Sequence, residues 1–465
     1  MTTAAPLVRP MLVLAALSLA PLAQAEDLTS KFEQYMDKSV EVDHFSGSVL
    51  VSKDGEVLFT KGYGLANVEH QVPNTPETKF RLGSITKQFT AMAVLILQEQ
   101  DKFQLDDPIG KFIEDAPEAW EKVTIHHLLC HTSGVPSYTS QPDYMKKMSH
   151  AETVKSMIAR FKDKPLDFAP GEKFSYSNSG YFLLGALIEK ASGMSYEAFL
   201  KQAIFEPLGM KDSGYDHPKT VLPHRASGYT RARAGVENAE YLDMAQPYAA
   251  GSLYSTVEDL AKWDRALTDE RLISKDSYVK MYTPVKNDYA YGWSVTTRSG
   301  RKEIGHGGGI NGFATQITRY PEEKVCVVVL CNVLPLNPGK VAQNLAAITF
   351  GEEYKLPETR KVAKVDPKIY DAYVGRYQIG PDRFLTISRD GDRLMAQPTN
   401  QTKLEILPSS ETEFFIEIVD AQLTFVKDEN GKVTHVTLRQ GKRDPEKAKR
   451  VEPSEADTPV AEKPK

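Results

Sequence analysis

The first residues that could do chemistry are Ser84 and Lys87, which form an S-x-x-K motif. Three positions along a helix bring two side chains onto the same face, so Lys87 is expected to reach the Ser84 hydroxyl. A serine hydroxyl becomes a good nucleophile when a base takes its proton, and lysine is such a base only when it is largely neutral. The alternative interpretation of the motif alone is a helix-capping serine followed by a solvated lysine.

The residues after the motif favour the catalytic interpretation. Residues 85–99 are predicted to form a helix, and residues 89–97 are apolar almost all round, which is typical of a buried helix. Burial lowers the pKa of a lysine, and a helix N-terminus adds positive potential where an oxyanion develops. The pattern therefore predicts Ser84 as a nucleophile activated by Lys87.

Two other short motifs carry groups that suit the same chemistry. Tyr176 and Asn178 are two residues apart on a predicted loop, where the phenol could relay a proton and the amide could hold a substrate carbonyl. His306 precedes three glycines, which let a substrate backbone approach and leave N–H groups free for an oxyanion. Taken singly, the first motif is equally typical of a packing tyrosine, and the second of a flexible hairpin turn.

In this order and spacing, the three motifs resemble those of the serine β-lactamase and penicillin-recognising superfamily. They are most similar to its class C branch, which reads S-x-x-K, Y-x-N and then K-x-G or H-x-G. That branch includes D-aminopeptidases, D-Ala-D-Ala carboxypeptidases, class C β-lactamases and β-lactamase-like esterases. Residues 128–134 (LLCHTSG), 174–181 and 251–256 also match, and the similarity covers residues 40–350.

The resemblance implies a catalytic role for four residues. Ser84 would be acylated, and Lys87 and Tyr176 would both take part in proton transfer, with either of them serving as the acylation base. The backbone N–H groups of Ser84 and Gly309 would form the oxyanion hole.

The resemblance also implies that Asn178, His306 and Gly308 bind substrate. His306 departs from the β-lactamases, which carry lysine at this position. A neutral imidazole offers less to a carboxylate than a permanent positive charge does, which predicts weak β-lactamase activity. The H-x-G motif resembles that of the peptidase and aminopeptidase members instead.

The fold expected from this resemblance is α/β (α+β): a β-lactamase/transpeptidase-like domain with an antiparallel sheet and a helical subdomain. Beyond residue 367, short alternating runs recur, with tight-turn signals at Asp390-Gly391 and Asn430-Gly431. Evenly spaced strands without intervening helices predict a small C-terminal antiparallel β-barrel, similar to the lipocalin-like domains of some D-peptidase-like family members.

The chain is predicted to divide into a signal peptide (1–25), a hydrolase domain (26–355), a linker (356–367), the barrel (368–452) and a disordered tail (453–465). The signal peptide is predicted from Arg9, an apolar run over residues 11–22 and the small residues that end at Ala25. A membrane anchor is the rival interpretation, but the run is shorter than the roughly 20 residues that span a bilayer. The protein is therefore expected to be periplasmic or secreted.

Composition narrows the possible classes of partner and cofactor. The 465 residues include 57 Lys+Arg against 62 Asp+Glu, and a formal charge of −5 gives no reason to expect a nucleic-acid partner. Cys326 and Cys331 lie in one predicted strand, about 17 Å apart, too far for a disulfide, and Cys130 is the third cysteine. Histidines near Cys130 suggest zinc only weakly, so no metal or cofactor is expected.

These observations predict an exported serine hydrolase that acts through an acyl-enzyme on peptide, amide or ester bonds. Its partner would be a small-molecule or peptide substrate, with no membrane span. The alternatives are a catalytically weak binding or sensing protein for cell-wall fragments, and a β-lactamase. The sequence carries no signal for an oligomeric state.

Overall fold

The computed structural model describes residues 20–232, 235–358, 361–380, 383–399, 403–416, 421–440 and 444–451. The predicted tail and most of the predicted signal peptide lie outside these residues. The first helix, α1, runs Ala20–Val42. In the part of the chain described, no helix combines the length and apolar character needed to cross a membrane.

A six-stranded antiparallel sheet forms the centre of the N-terminal part of the chain. Its order is β10-β11-β12-β13-β1-β2, and three smaller sheets surround it. The strands are β1 (Gly47–Lys53), β2 (Glu56–Tyr63), β3 (Leu65–Asn67), β4 (Val72–Pro73), β5 (Phe80–Arg81), β6 (Gly214–Tyr215), β7 (Tyr229–Ala232), β8 (Gly235–Asn238), β9 (Leu253–Ser255), β10 (Ser294–Arg298), β11 (Arg301–Ile310), β12 (Phe313–Tyr320), β13 (Val325–Cys331) and β14 (Val333–Leu334).

The described residues form ten further α-helices, and several of them cover the two faces of this sheet. They are α2 (Thr86–Glu99), α3 (Ile125–Leu129), α4 (Tyr144–Lys147), α5 (Val154–Ala159), α6 (Asn178–Ser192), α7 (Tyr196–Leu200), α8 (Glu206–Leu208), α9 (Val257–Thr268), α10 (Lys275–Met281) and α11 (Pro338–Phe350). Helices α1 and α11 pack on one face, and α2, α6 and α9 belong to the larger core on the other. Every residue of β13 is buried, because this strand is covered on both sides.

The C-terminal part is a closed eight-stranded antiparallel barrel, as predicted. Its strands are β15 (Gly375–Gly380), β16 (Arg383–Asp390), β17 (Arg393–Pro398), β18 (Leu404–Pro408), β19 (Glu413–Ile416), β20 (Ala421–Lys427), β21 (Val433–Gln440) and β22 (Glu446–Val451). Aromatic side chains fill its core: Tyr373 stacks on Phe425 at 4.3 Å, and Phe414 packs edge-on against both. The barrel core is therefore a packed apolar cluster.

The prediction of the fold is confirmed, with differences at the two polar motifs. Taken alone, the glycine run after His306 favours a flexible hairpin turn, but it lies inside β11. Asn178 was expected on a loop, but it begins α6. Both segments were expected to be irregular but belong to regular elements. The strand and the helix fix the directions of the backbone N–H groups after His306 and of the Asn178 side chain.

Candidate active site

Ser84 lies in the 3₁₀ turn Gly83–Ile85 at the head of α2. The turn requires glycine before the nucleophile, because Gly83 has a φ of +54° and a Cβ there would come within 3.0 Å of the Gly309 nitrogen. Leu82 anchors the turn by donating its N–H to the Leu253 carbonyl at 2.8 Å. The half-buried Ser84 is thus held on rigid backbone beside strand β11.

Lys87 is fully buried one turn after Ser84. Its Nζ lies 3.1 Å from Ser84 Oγ, and it donates to Asn178 Oδ1 at 2.9 Å and to the carbonyl oxygen of Ala250 at 2.8 Å. Burial holds the pKa of Lys87 well below its ordinary value of 10.5, because the charged form loses its hydration. A lysine of this kind can exist as a neutral amine beside the serine hydroxyl.

Asn178 is oriented from two sides. Its Oδ1 accepts from Lys87, and its Nδ2 donates to Thr139 Oγ1 at 3.1 Å. Its backbone N–H donates to Ser137 Oγ at 3.1 Å, at the start of α6. The side chain thus links the lysine to the segment after the T-S-G motif.

Tyr176 lies on the open side of the same cluster, with 38% of its surface exposed. Its ring centroid is 4.8 Å from Lys87 Nζ. Burial raises the pKa of Tyr176, although the neighbouring Ser84 acts in the opposite direction. The phenol is therefore protonated at neutral pH.

Strand β11 presents a backbone N–H toward Ser84. Ile310 and Phe313 close a two-residue turn, and Gly309 pairs with Ala314 in the next, non-hydrogen-bonded position of the ladder. The Gly309 N–H therefore points away from β12, at an edge that β10 leaves uncovered because it pairs with β11 only as far as Gly305. This edge packs against the turn that carries Ser84.

The Cα–H of Gly308 that a side chain would replace points into the protein interior, whereas that of Gly309 points into open space. A Cβ at Gly308 would lie 1.9 Å from the Leu82 carbonyl oxygen and 2.2 Å from Thr315 Oγ1, whereas a Cβ at Gly309 has no atom within 4 Å. Gly308 thus allows β11 to approach the nucleophile turn. Its predicted contact with substrate stays a prediction.

Gly308→Ala is expected to lower the rate of acylation by about tenfold or more, because the methyl group must push β11 away from the turn and a displacement near 1 Å can cost about 100-fold. The matched control is Gly110→Ala, outside the active-site cluster, whose methyl group would make only an ordinary contact with Ala116 at 3.5 Å. Acylation rates and thermal midpoints of both variants provide the measurement. Equal rates in the two variants would contradict the proposed close approach.

His306 is buried, with 9% of its surface exposed. Its Nδ1 lies 2.6 Å from the Gly307 carbonyl oxygen, and its Nε2 lies 2.9 Å from the Tyr289 hydroxyl. Burial and the nearby Lys87 lower the pKa of His306 to about 4. The ring is therefore neutral at pH 7, and it remains neutral far below the ordinary pKa of histidine.

The sequence motifs missed several residues that complete this cluster. His131 is buried against the ring of Tyr176 at 4.1 Å and accepts the Ser177 N–H at its Nδ1. The L-L-x-H-T-S-G match was the only signal for it. Thr139 and the carbonyl of Ala250 carried no signal, since each reaches the site through a contact distant in sequence.

The neighbouring histidines have protein partners. His126 Nδ1 is 2.6 Å from the Tyr291 hydroxyl, and His127 Nδ1 accepts the Thr124 N–H at the start of α3. Within the described ranges, no group of three or more histidine, cysteine or acidic side chains is placed to hold a metal ion.

Comparison with known proteins matches both parts of the chain. The family described as Beta-lactamase matches residues 28–349, and the Domain of unknown function DUF3471 matches residues 359–457. Penicillin-binding protein 4* of Bacillus subtilis (strain 168) is 30% identical over 431 residues, which cover 86% of this chain and 94% of that protein.

Two solved structures extend the comparison. The octameric penicillin-binding protein homologue from Pyrococcus abyssi superposes with a TM-score of 0.65 at 30% identity, covering 90% of this chain and 99% of that one. The D-amino acid amidase from Ochrobactrum anthropi SV3, complexed with D-phenylalanine, has a TM-score of 0.62 at 25% identity and covers 70% and 99%.

Proposed function

Since the chain belongs to the Beta-lactamase family, we propose that it is a serine hydrolase that cleaves peptide, amide or ester bonds through an acyl-enzyme on Ser84. One observation carries the proposal: a fully buried Lys87, with a lowered pKa, lies 3.1 Å from the Ser84 hydroxyl. Desolvating a lysine is costly, so its burial beside a serine is best explained by a need for a neutral amine.

The hydrogen bonds of Lys87 fit a neutral amine. A neutral lysine has two N–H groups and one lone pair. The Asn178 Oδ1 and the Ala250 carbonyl are acceptors only, so they take both N–H groups. The lone pair is then left for the third neighbour, Ser84, whose O–H donates to it. This arrangement favours transfer of the serine proton to Lys87 as Oγ attacks a carbonyl carbon.

Lys87 is the acylation base in this proposal, and Tyr176 is a proton relay. A tyrosine base would have to be ionised, whereas burial raises the pKa of Tyr176 and keeps its phenol protonated. The Tyr176 ring lies beside Lys87 Nζ, and its phenol can pass the proton from Lys87 to the leaving group. The N–H groups of Ser84 and Gly309 would stabilise the oxyanion, and water would then release the acyl group.

The substrate class follows from His306 and from the relatives. A neutral His306 supports the hydrolysis of substrates that lack a carboxylate near β11, which argues against efficient β-lactamase action. Similarity to a D-amino acid amidase and to penicillin-binding proteins favours amide substrates that are D-configured or derived from the cell wall. Periplasmic or secreted location, and the division into hydrolase domain, linker and barrel, belong to the same proposal.

A fluorophosphonate probe is expected to label the protein at Ser84, because the probe phosphorylates an activated serine. Peptide mapping by mass spectrometry would locate the adduct. A parallel screen of p-nitrophenyl esters, D-amino-acid amides and nitrocefin would then rank the substrate classes. Labelling confined to another serine, or no labelling at all, would leave the binding or sensing alternative as the better description.

A further inference from the structure

Both ring nitrogens of His306 are occupied by groups of the protein itself. Nδ1 lies 2.6 Å from the Gly307 carbonyl oxygen, which can only accept, so the ring proton is on Nδ1. Nε2 is then a bare acceptor, 2.9 Å from the Tyr289 hydroxyl, which must donate to it. The contacts therefore fix one neutral tautomer.

Tyr289 is held in place by aromatic packing. It is buried, and its ring lies 4.8 Å from that of His131, 5.6 Å from that of Phe174 and 6.1 Å from that of Tyr176. The hydroxyl of Tyr181 is also near, but it donates to the Leu129 carbonyl. An imidazole nitrogen is a stronger acceptor than a phenol oxygen, so the Tyr289 proton goes to His306.

We propose that Tyr289 is a positioning residue that caps His306, so that the His306 ring offers substrate neither an N–H donor nor a positive charge. The site would therefore accept substrates that are uncharged where they pass His306 and discriminate against carboxylates there. This inference rests on the proposed hydrolase function and names the substrate class of the same site. It also assigns a role to a residue outside the three motifs.

The surroundings of His306 also favour its neutral form. Burial is the main cause of the lowered pKa of His306, and a protonated Lys87 on α2 would lower it further. Burial also lowers the pKa of His131, after α3, so this ring is neutral and brings no negative charge that could stabilise a charged His306. Tyr176, before α6, is protonated and contributes no negative charge. The pKa of His306, about 4, leaves the ring neutral throughout the range in which the enzyme would be assayed. The donated hydrogen bond from Tyr289 further favours the neutral form, because a protonated Nε2 could not accept it.

The test is Tyr289→Phe, which removes the hydroxyl and keeps the ring. Phenylboronic acid and its 3- and 4-carboxyl derivatives would compete with fluorophosphonate labelling of Ser84. Each compound adds to the serine oxygen through boron. The ratio of the inhibition constant of phenylboronic acid to that of each carboxyl derivative therefore isolates the effect of the carboxylate. In the wild type, we expect this ratio to change less than about twofold between about pH 8 and about pH 5. Tyr289→Phe removes the hydrogen bond that favours neutral His306. In this variant, the ratio should change by about fivefold or more as pH falls, in favour of the carboxyl derivative that binds more tightly.

The matched control is Tyr291→Phe. Tyr291 is equally buried two residues away, but its hydroxyl contacts His126. A pH-independent ratio in Tyr289→Phe, or the same shift in both variants, would overturn the inference while leaving Ser84 labelling intact. Loss of labelling in the wild type would instead contradict the proposed function.

A direct measurement needs no variant. In long-range ¹H–¹⁵N NMR spectra of histidine-labelled wild-type protein near pH 7, His306 should show its proton on Nδ1. His306→Asn would assign the signal. A proton on Nε2, or a charged ring, would overturn the inference.

Discussion

Ser84→Ala is expected to abolish labelling by the fluorophosphonate probe and to lower kcat/KM by about 10³-fold or more on every substrate that the wild type turns over. The reason is that alanine removes the atom that forms the acyl-enzyme, and Lys87 cannot compensate without a hydroxyl to deprotonate. The measurement combines labelling, steady-state kinetics and trapping of an acyl-enzyme by mass spectrometry.

The matched control is Ser175→Ala, which changes an exposed serine one residue before Tyr176. This variant should retain labelling and turnover, because Ser175 is exposed and is not one of the residues that contact Lys87. If Ser84→Ala kept more than about a tenth of the wild-type rate, a difference under about 1.4 kcal/mol, the nucleophile would have to be another group.

The S-x-x-K pair could be predicted because its geometry is local. A helix fixes the direction of residues three positions apart, and the apolar sequence after Lys87 already indicates burial. The structure adds the partners that define the protonation state. The Ala250 carbonyl is 163 positions away along the chain and is a backbone group, so no residue type could have indicated it.

The glycine run could not be assigned correctly for a related reason. Glycine disfavours strands in isolation, and the run after His306 therefore favoured a turn. In the folded protein, β11 is held by pairing with β12 along its length, and the missing side chain at Gly308 is needed for contact with Leu82. Tertiary packing thus overrides the local preference.

The neutral state of His306 was predicted from the ordinary pKa of histidine, which leaves the ring partly charged in mild acid. The structure shows a stronger cause, since burial and Lys87 lower the pKa to about 4. A histidine with the ordinary pKa of 6.5 would make the preference for carboxylates rise as pH falls through that value, and this rise should be absent from the wild type. The hydroxyl of Tyr289 carried no sequence signal, because its partner, His306, lies 17 residues further along the chain on β11.

Lys87→Met is expected to lower the acylation rate by about 10³-fold, or about 4 kcal/mol, while the protein still folds. Methionine fills a similar volume but cannot accept the Ser84 proton. The wild-type rate should rise with pH through the folded-state pKa of Lys87, which burial places well below 10.5, and then level off. A stopped-flow pH profile of acylation in both proteins tests this. A loss under about tenfold, or an acid limb unchanged in Lys87→Met, would make Lys87 a bystander.

The pH dependence of protein stability provides a second test of the role of Lys87 with the same variant. Between the lowered pKa of folded Lys87 and the ordinary value of 10.5, the unfolded chain holds one more proton than the folded chain. The free energy of unfolding of the wild type should therefore fall as pH falls through this window, by an increment that Lys87→Met lacks. The difference between the two proteins, measured by urea unfolding at several pH values, should grow in favour of methionine toward lower pH. A pH-independent difference would mean that Lys87 is charged in the folded protein, and the proposed base would then be wrong, because a lysine that stabilises the fold as a cation cannot also take the serine proton.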